Sequence, residues 1–399
     1  MKIVLYVLDG LQVDALNSIE TPESLELKKR AVLVEQANTI YPSLTGPGHA
    51  SILTGLLPSS HGLISHMYWD FRKGLKNIYS DSAFQSSTLF ELLAQKGIKS
   101  AGHGNYFRRG ISDGAKKRFL KWMANKLERA SFVTNALEAM PVVERYLKKS
   151  VAGTLKNVQD KVVNSNATVH YILDNSTDKA SHKYGPLSSE YHNAIEKGLC
   201  TLLDLINALD SKGEQYVVFV TSDHGHTTVD SKLNAQDMDL GEIGLPILKS
   251  KVINANLILE YGQASTEAVC VIVSRHVQVY LKDKSKTKKV AECLLKKGFF
   301  DRLLIGEEIE KIGVSNKRTG DIIGSLKDDF GFVEMPIGVK GDHGGFTQKE
   351  MNVPLWILGN KIVPQKIKRA DVIDIAPTIF ALLGLNGAKF DGSAIKLYA

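Results

Sequence analysis

Apolar and polar positions along this chain follow the rhythm of a sheet wrapped by helices. The chain opens on KIVLYVLDG, whose residues Ile3 to Leu8 form an unbroken apolar run, the pattern of a strand buried on both faces. Helical spacing with many charges follows over residues 22–30, Ala31–Asn38 reads as a second strand, and helical spacing resumes from about Pro47. Thr88–Lys96 predicts an amphipathic helix ending at Gly97, with Ser100–His103 a short strand of the same sheet. Further on come a strand over Ala167–Leu173, a loop carrying Asp178, a helix over about Ser188–Leu209 and a strand from Tyr216. VPLWILG predicts one more core strand, and DVIDIAPTIFALLGL a helix capped near Asp371 or Asp374 and stopped at Gly384. This alternation predicts an α/β fold built on a doubly wound, mostly parallel sheet.

Two stretches break the rhythm. Residues 104–166 are rich in Lys, Arg, Glu and Ala, with helical spacing around Phe119–Leu127 and Val142–Leu155, and predict a helical insertion. Within residues 240–335, VCVIVSRHVQVYLKD alternates like a partly exposed strand, KKVAECLLKKGF is helical, and GDIIGSLKDDFGFV reads as strands around a turn. The expected organisation is therefore a core of residues 1–239 and 336–399 with a small α+β cap over 240–335.

Composition narrows the classes. A chain of 399 residues, 43% hydrophobic and 23% charged, has material for one large α/β domain with insertions. No apolar stretch approaches the roughly 20 residues that cross a bilayer, and MKIVLYVLDG lacks the separate segments of a signal peptide, so no membrane partner is expected. Cys200, Cys270 and Cys293 are too scattered for a disulfide framework or a thiolate zinc site, which suits a reducing, cytoplasmic location. The net charge of +7, from 50 Lys and Arg against 43 Asp and Glu, could favour anionic substrates, with solubility the plainer reading. Those cations are spread along solvated faces, not gathered with aromatics, so no stable nucleic-acid partner is expected. Arg108, Arg109, Lys116, Lys117 and Arg118 in the insertion could close over an anion, but a solvated helical face is the plainer reading.

The candidate chemistry sits where apolar runs stop. YVVFVTSDHGH ends at adjacent Asp223 and His224, and the carboxyl end of a strand is where open α/β sheets place ligands. This pair offers oxygen and nitrogen to one borderline metal, and Gly225 lets the backbone turn away. The first strand likewise ends in Asp9 and Gly10, Asp178 and His182 are separated by three residues, and His343 lies among the glycines of KGDHGGF. Taken singly, each could be a cap, turn or loop residue; as a set they offer a metal site. YPSLTGPGHASILTG places Thr45 just before a helix, whose positive end favours anions. A threonine hydroxyl is too weakly acidic to attack unaided, and metal coordination would stabilise its alkoxide. The competing role for Thr45 is a helix cap.

VLDG with Asp9, PSLTGPGHASILTGLLPSSHG with Thr45, the Asp178-to-His182 segment followed by GP, TSDHG and GDHGGF stand in an order that resembles the alkaline phosphatase superfamily. The nearest likeness is to its phosphodiesterase/nucleotide pyrophosphatase branch, and DIAPTIFALLGL followed by DGSAI resembles the superfamily's closing helix and loop. The matching segments lie at both ends and in the centre, leaving the insertion and cap largely unmatched. The resemblance implies two divalent metal ions, usually zinc with manganese an alternative. Asp178, His182 and His343 would hold one, and Asp9, Asp223, His224 and the Thr45 oxygen the other. It implies two in-line displacements through a phosphothreonine-type intermediate on Thr45. The implied partner is a small phosphorylated substrate, first a nucleotide or other phosphodiester; phosphonoacetate-like phosphonates and phosphomonoesters are alternatives, and a silent phosphate-ligand sensor is the non-enzymatic one. His66 stands where the branch commonly carries an asparagine that donates to a phosphoryl oxygen, and an imidazole could do the same or be a displaced loop residue. His226 reads as an outer or surface residue, and Tyr68, Trp69 and Tyr106 as packing residues or a base-stacking surface.

Overall fold

The first strand, Lys2–Leu8, lies inside a seven-stranded sheet, and each of its residues is buried. Ile3, Leu5 and Val7 enter one core while Val4, Tyr6 and Leu8 enter another, as the two-residue period of a strand requires. The computed structural model describes residues 1–104, 106–112, 155, 157–332 and 339–397. The expected helical stretch Phe119–Leu127, most of Val142–Leu155, and Lys116, Lys117 and Arg118 lie outside the described residues.

The sheet runs in the order Lys366–Asp371, Ala31–Asn38, Leu355–Gly359, Tyr216–Thr221, Lys2–Leu8, Val169–Asp174, Ser100–His103. Its pairs are parallel except on the two sides of Leu355–Gly359. Helices Thr45–Thr54, Leu89–Gln95 and Ile375–Leu382 cover one face, and Pro22–Arg30 and Ser189–Ser211 the other. Ser189–Ser211 shows why: Tyr191, Ile195, Leu199, Leu202, Ile206 and Leu209 recur at three- and four-residue spacing and are buried, and the Ser188 side chain accepts the Tyr191 amide to start the helix. Each buried Leu or Ile contributes about 1.5–3 kcal/mol. The result is the doubly wound, mostly parallel α/β arrangement expected.

A second, six-stranded sheet is antiparallel throughout, in the order Phe300–Ile305, Ile322–Leu326, His276–Leu281, Ala268–Val273, Asn256–Tyr261, Ile247–Ile253. VCVIVSRHVQVYLKD is therefore two strands around Ser274 and Arg275, and neither is partly exposed. One face of this sheet packs with Val290 and Leu294 of helix Thr287–Lys296, the other with Leu44 and Met67. The alternation sorted two apolar surfaces, not core from solvent. Past this sheet, Asp329–Phe332 pairs in parallel with Thr227–Leu233, which also pairs with Gly341–Asp342. The expected loop around Asp178 is instead helix Ser176–Tyr184. No helix among the described residues is long and apolar enough to cross a membrane, and the three cysteines are unpaired.

Candidate active site

Three neighbouring strands deliver the acidic groups. Asp9 follows Lys2–Leu8, Asp223 and His224 follow Tyr216–Thr221, and Asp178 lies on the helix after Val169–Asp174. In helix Ser176–Tyr184, Asp178 and His182 stand one turn apart on one face, which brings four-residue neighbours together. The polar sequence STDKASHKY gave this helix no apolar stripe to read. Thr45 is the first residue of helix Thr45–Thr54; Leu44 holds the cap position, so the competing cap role does not apply.

The side chains converge in three overlapping groups, two of which share Asp178. Asp178 Oδ1 is 3.3 Å from His182 Nε2, 3.1 Å from His226 Nε2 and 3.9 Å from His343 Nε2. On the other side, His224 Nε2 lies 3.6 Å from Asp9 Oδ1, 3.2 Å from Asp223 Oδ2 and 3.2 Å from Thr45 Oγ1. Asp178, His182, His226 and His343 present ligand atoms within 4.8 Å of one another, as do Asp9, Asp178 and His224, and Asp9, His49 and Asp223. Asp9, Asp223 and His224 are fully buried, whereas the His182 side chain keeps 30% exposure and marks the open side.

Outer contacts aim the imidazoles. Nδ1 of His182 faces the Gly341 carbonyl at 2.8 Å, that of His343 the Ser43 carbonyl at 2.9 Å, and that of His224 the Gly225 carbonyl at 3.1 Å. A proton on each Nδ1 leaves Nε2 as a lone pair turned toward the carboxylates, the usual outer support of a metal-ligating histidine. Tyr106 donates to Asp9 Oδ2 at 3.1 Å, leaving Oδ1 toward His224.

Electrostatics fit a bound cation. Burial, then the Asp223 and Asp178 charges, holds the Asp9 carboxyl well above its usual range, and burial with Asp178 pushes Asp223 up to about 7. Burial opposes charge on His182, but the Asp178 carboxylate outweighs it and raises the imidazole to about 9, so Nε2 holds a proton beside Asp178 in the place that a bound cation would take. Asp9 Oδ1, Asp223 Oδ2 and His49 Nε2 are buried without a hydrogen-bond partner, and such an unmade bond costs about 1–3 kcal/mol. Carboxylate oxygens and imidazole nitrogens are the donors that zinc accepts and that suit other borderline divalent ions. The residues present thus fit metal ions on grounds of their own chemistry.

The structure brings every expected ligand, Asp9, Asp178, His182, Asp223, His224 and His343, together with Thr45. It adds His49, which the sequence reading did not single out, and decides between the outer and surface positions read for His226. His226 is fully buried, not superficial, and its ring centroid lies 4.8 Å from that of His182 and 5.1 Å from that of His343. Gly10, at φ +69°, makes room for it, since a Cβ there would stand 2.5 Å from His226 Nε2. His49 Nε2 lies 3.4 Å from Asp223 Oδ2, with its Nδ1 bonded to the Tyr171 hydroxyl. Spacing held the signal for both: His49 follows Thr45 by four residues on a helix, and His226 follows His224 by two on the way into a strand.

Other expected residues are placed differently. His66 Nε2 accepts the Gly46 amide at 3.1 Å and its ring stacks on Tyr79 at 4.6 Å, so that nitrogen carries no proton to donate. Tyr68 and Trp69 pack against the apolar cluster that the antiparallel sheet forms with Leu44 and Met67, while Tyr106 reaches Asp9. Arg109 pairs with Glu91 at 2.7 Å, and Arg108 turns Nη1 to the Gly102 carbonyl at 3.3 Å.

A sheet with these ligand loops at its carboxyl edge and a threonine at a helix start beside them is the arrangement of the alkaline phosphatase superfamily. An alkaline phosphatase PafA mutant shares the fold, with a TM-score of 0.69 over 98% of each chain at 17% identity. Murine ectonucleotide pyrophosphatase / phosphodiesterase 5 does so with a TM-score of 0.70 over 98% of each chain at 16% identity. Within this class the chain belongs to the type I phosphodiesterase / nucleotide pyrophosphatase family, whose model matches residues 3–346. Bis(5'-adenosyl)-triphosphatase ENPP4 from Pongo abelii is 28% identical over 235 residues, 57% of this chain and 48% of that protein. The human counterpart is 27% identical over the same length. The chain spans about half the length of these curated relatives.

Proposed function

We propose that this protein is a two-metal hydrolase of phosphodiester or nucleotide pyrophosphate bonds with Thr45 as nucleophile. The observation that carries the reading is the Thr45 hydroxyl at 3.2 Å from His224 Nε2, beside three overlapping carboxylate–imidazole groups, two of which share Asp178. Asp178, His182 and His343 would hold one ion, with His226 against Asp178; Asp9, Asp223, His224 and the Thr45 oxygen would hold the other. Zinc, or manganese in its place, would supply Lewis acidity toward the phosphoryl oxygens and a lowered pKa for a coordinated hydroxyl.

Helix Thr45–Thr54 directs its positive end at the place where phosphoryl charge collects. Thr45 Oγ1 gives its proton to solvent and attacks phosphorus; the bond to the leaving oxygen breaks, and that oxygen departs with the bond pair and takes up a proton from solvent. Water then attacks the Thr45 ester in line from the opposite face, and the threonine hydroxyl is restored. The same nucleophile serves a diester and a pyrophosphate, which differ in the leaving group.

An inactive threonine-to-alanine variant of murine ectonucleotide pyrophosphatase / phosphodiesterase 5 has been solved with AMP, at 17% identity and a TM-score of 0.70 over 98% of this chain and 97% of that one. That precedent and the family support a nucleotide as the first substrate to try. The test is a panel of a phosphodiester, a nucleotide pyrophosphate, a phosphomonoester and phosphonoacetate on zinc- or manganese-reconstituted protein. A preference above tenfold, about 1.4 kcal/mol, for either of the first two supports the reading. The same preference for the monoester or phosphonate overturns the substrate class, and a reconstituted protein that turns over none of them overturns the enzyme.

A further inference from the structure

We infer that the buried Arg275–Glu350 ion pair is a positioning device through which the antiparallel sheet holds the ligand loops in register, an inference that rests on the two-metal reading above. Arg275 turns the corner between strands Ala268–Val273 and His276–Leu281, beside Ser274 at φ 52°. Its side chain is fully buried: Nε donates to Glu350 Oε1 at 2.9 Å, Nη1 to the Phe330 carbonyl at 2.9 Å and Nη2 to the Leu326 carbonyl at 2.8 Å. Asp328 Oδ1 stands 3.8 Å from Nη2.

Glu350, on the short helix Gln348–Met351, is equally buried and touches both ligand loops. Oε1 also accepts the Gly345 amide at 2.8 Å, two residues past His343, and the Glu350 backbone carbonyl accepts the Gly225 amide at 2.8 Å, one residue past His224. Oε2 accepts the Thr347 hydroxyl at 2.8 Å. A Cβ on Gly345 would run into this carboxylate. The backbone amide of Arg275 donates to the His343 carbonyl at 3.0 Å. Ser43 ties in the nucleophile: its hydroxyl donates to the Gly345 carbonyl at 2.8 Å and accepts the Gly344 amide at 3.1 Å, and its carbonyl faces His343 Nδ1 at 2.9 Å. The ion pair's own side chains thus meet the His343 loop at the Gly345 amide, the backbones of Arg275 and Glu350 reach His343 and Gly225, and Ser43 links that loop to the segment entering Thr45.

A buried ion pair is a poor source of net stability, because desolvation offsets its attraction and apolar residues of similar volume often serve as well. Apolar residues cannot accept the Gly345 amide or fix its direction. Removing the pair should therefore release the Gly345 amide beside His343, in addition to the stability lost where the Phe330 and Leu326 carbonyls lose their donor.

The experiment compares the parent with Arg275→Met/Glu350→Leu and Arg275→Lys. Zinc affinity is measured by chelator competition on metal-stripped protein, thermal melting by circular dichroism, and kcat and KM on the best diester. The double variant is expected to melt lower than the parent but stay folded at assay temperature, bind at least one zinc tenfold more weakly, and lose kcat more than it gains in KM. A folded double variant with both zinc affinities and kcat unchanged overturns the inference. Should that variant fail to fold, Arg275→Lys decides: lysine keeps the charge but loses the planar fork, so zinc binding should weaken, and unaltered binding overturns the inference. A parent that binds neither zinc nor manganese sinks the two-metal reading and this one with it; a metal-binding parent with unaltered variants sinks this one alone.

Discussion

His224 and His343 lie face to face, ring centroids 3.6 Å apart and planes 9° from parallel. They come from loops that follow different strands, and each is held by an Nδ1 contact to a backbone carbonyl, so neither ring is free to follow the other away. The stack places one ligand of each proposed ion back to back. His224→Ala and His343→Ala should therefore each retain about one of two metal equivalents. Atomic absorption on reconstituted protein reads this directly, and two retained equivalents in either variant would remove that residue from the ligand set.

His226 should act on affinity. Its Nε2 at 3.1 Å from Asp178 Oδ1 orients the carboxylate that two of the groups share. Loss of such an outer partner costs about 10–100-fold in metal affinity or activity. His226→Ala should therefore bind zinc more weakly in a chelator competition with its fold intact. Parent-like affinity would mean that His226 fills space beside the site and nothing more.

Thr45→Ala should separate binding from chemistry. The substitution removes the attacking oxygen but none of the six Asp and His side chains, so metal content should stay near that of the parent. Turnover of a chromogenic diester should fall by about 10³-fold or more, ~4 kcal/mol in the barrier. Activity within tenfold of the parent would mean that another group attacks phosphorus.

His61 gives a pH prediction outside the ligand set. Burial brings its imidazole down to about 3. Nδ1 accepts the Leu63 amide at 3.1 Å and Nε2 faces the Ser51 hydroxyl at 3.0 Å, so a second proton breaks a bond already made. In the unfolded chain the same group titrates near ~6.5, so the unfolded state takes up the proton first. The stability that follows is fully present above ~6.5 and is lost as pH falls toward ~3, by at most ~1.4 kcal/mol per pH unit. His61→Asn should be less stable at neutral pH yet lose less on acidification, measured by urea unfolding at pH 7, 6 and 5. Parallel pH slopes for the two proteins would rule out the linkage.

The core was legible because burial leaves a direct mark on sequence. Lys2–Leu8 and Tyr216–Thr221 are apolar on both faces, and their ends, Asp9 and Asp223, are abrupt polar stops. The Asp178–His182 helix was not legible, because its turns are held against Gly341 and Asp9 by polar contacts, not by an apolar stripe. The turn at Arg275 was missed for the opposite reason: two fully buried strands read as one continuous run when the residue between them, though charged, is buried too. His49 was recoverable from its spacing after Thr45, whereas the engagement of His66 with Gly46 depends on how the intervening segment folds back, which no local pattern encodes.

The corner at Arg275 also limits how freely this molecule can exchange parts. A chimera that grafts the antiparallel sheet of a relative onto this core would need to bring its own cation to that corner. Without one, the Glu350 carboxylate is stranded in the interior, and breaking such a pair costs about 3–5 kcal/mol. Grafts intended to change the substrate should succeed or fail on this hidden compatibility before any contact with the substrate is tested.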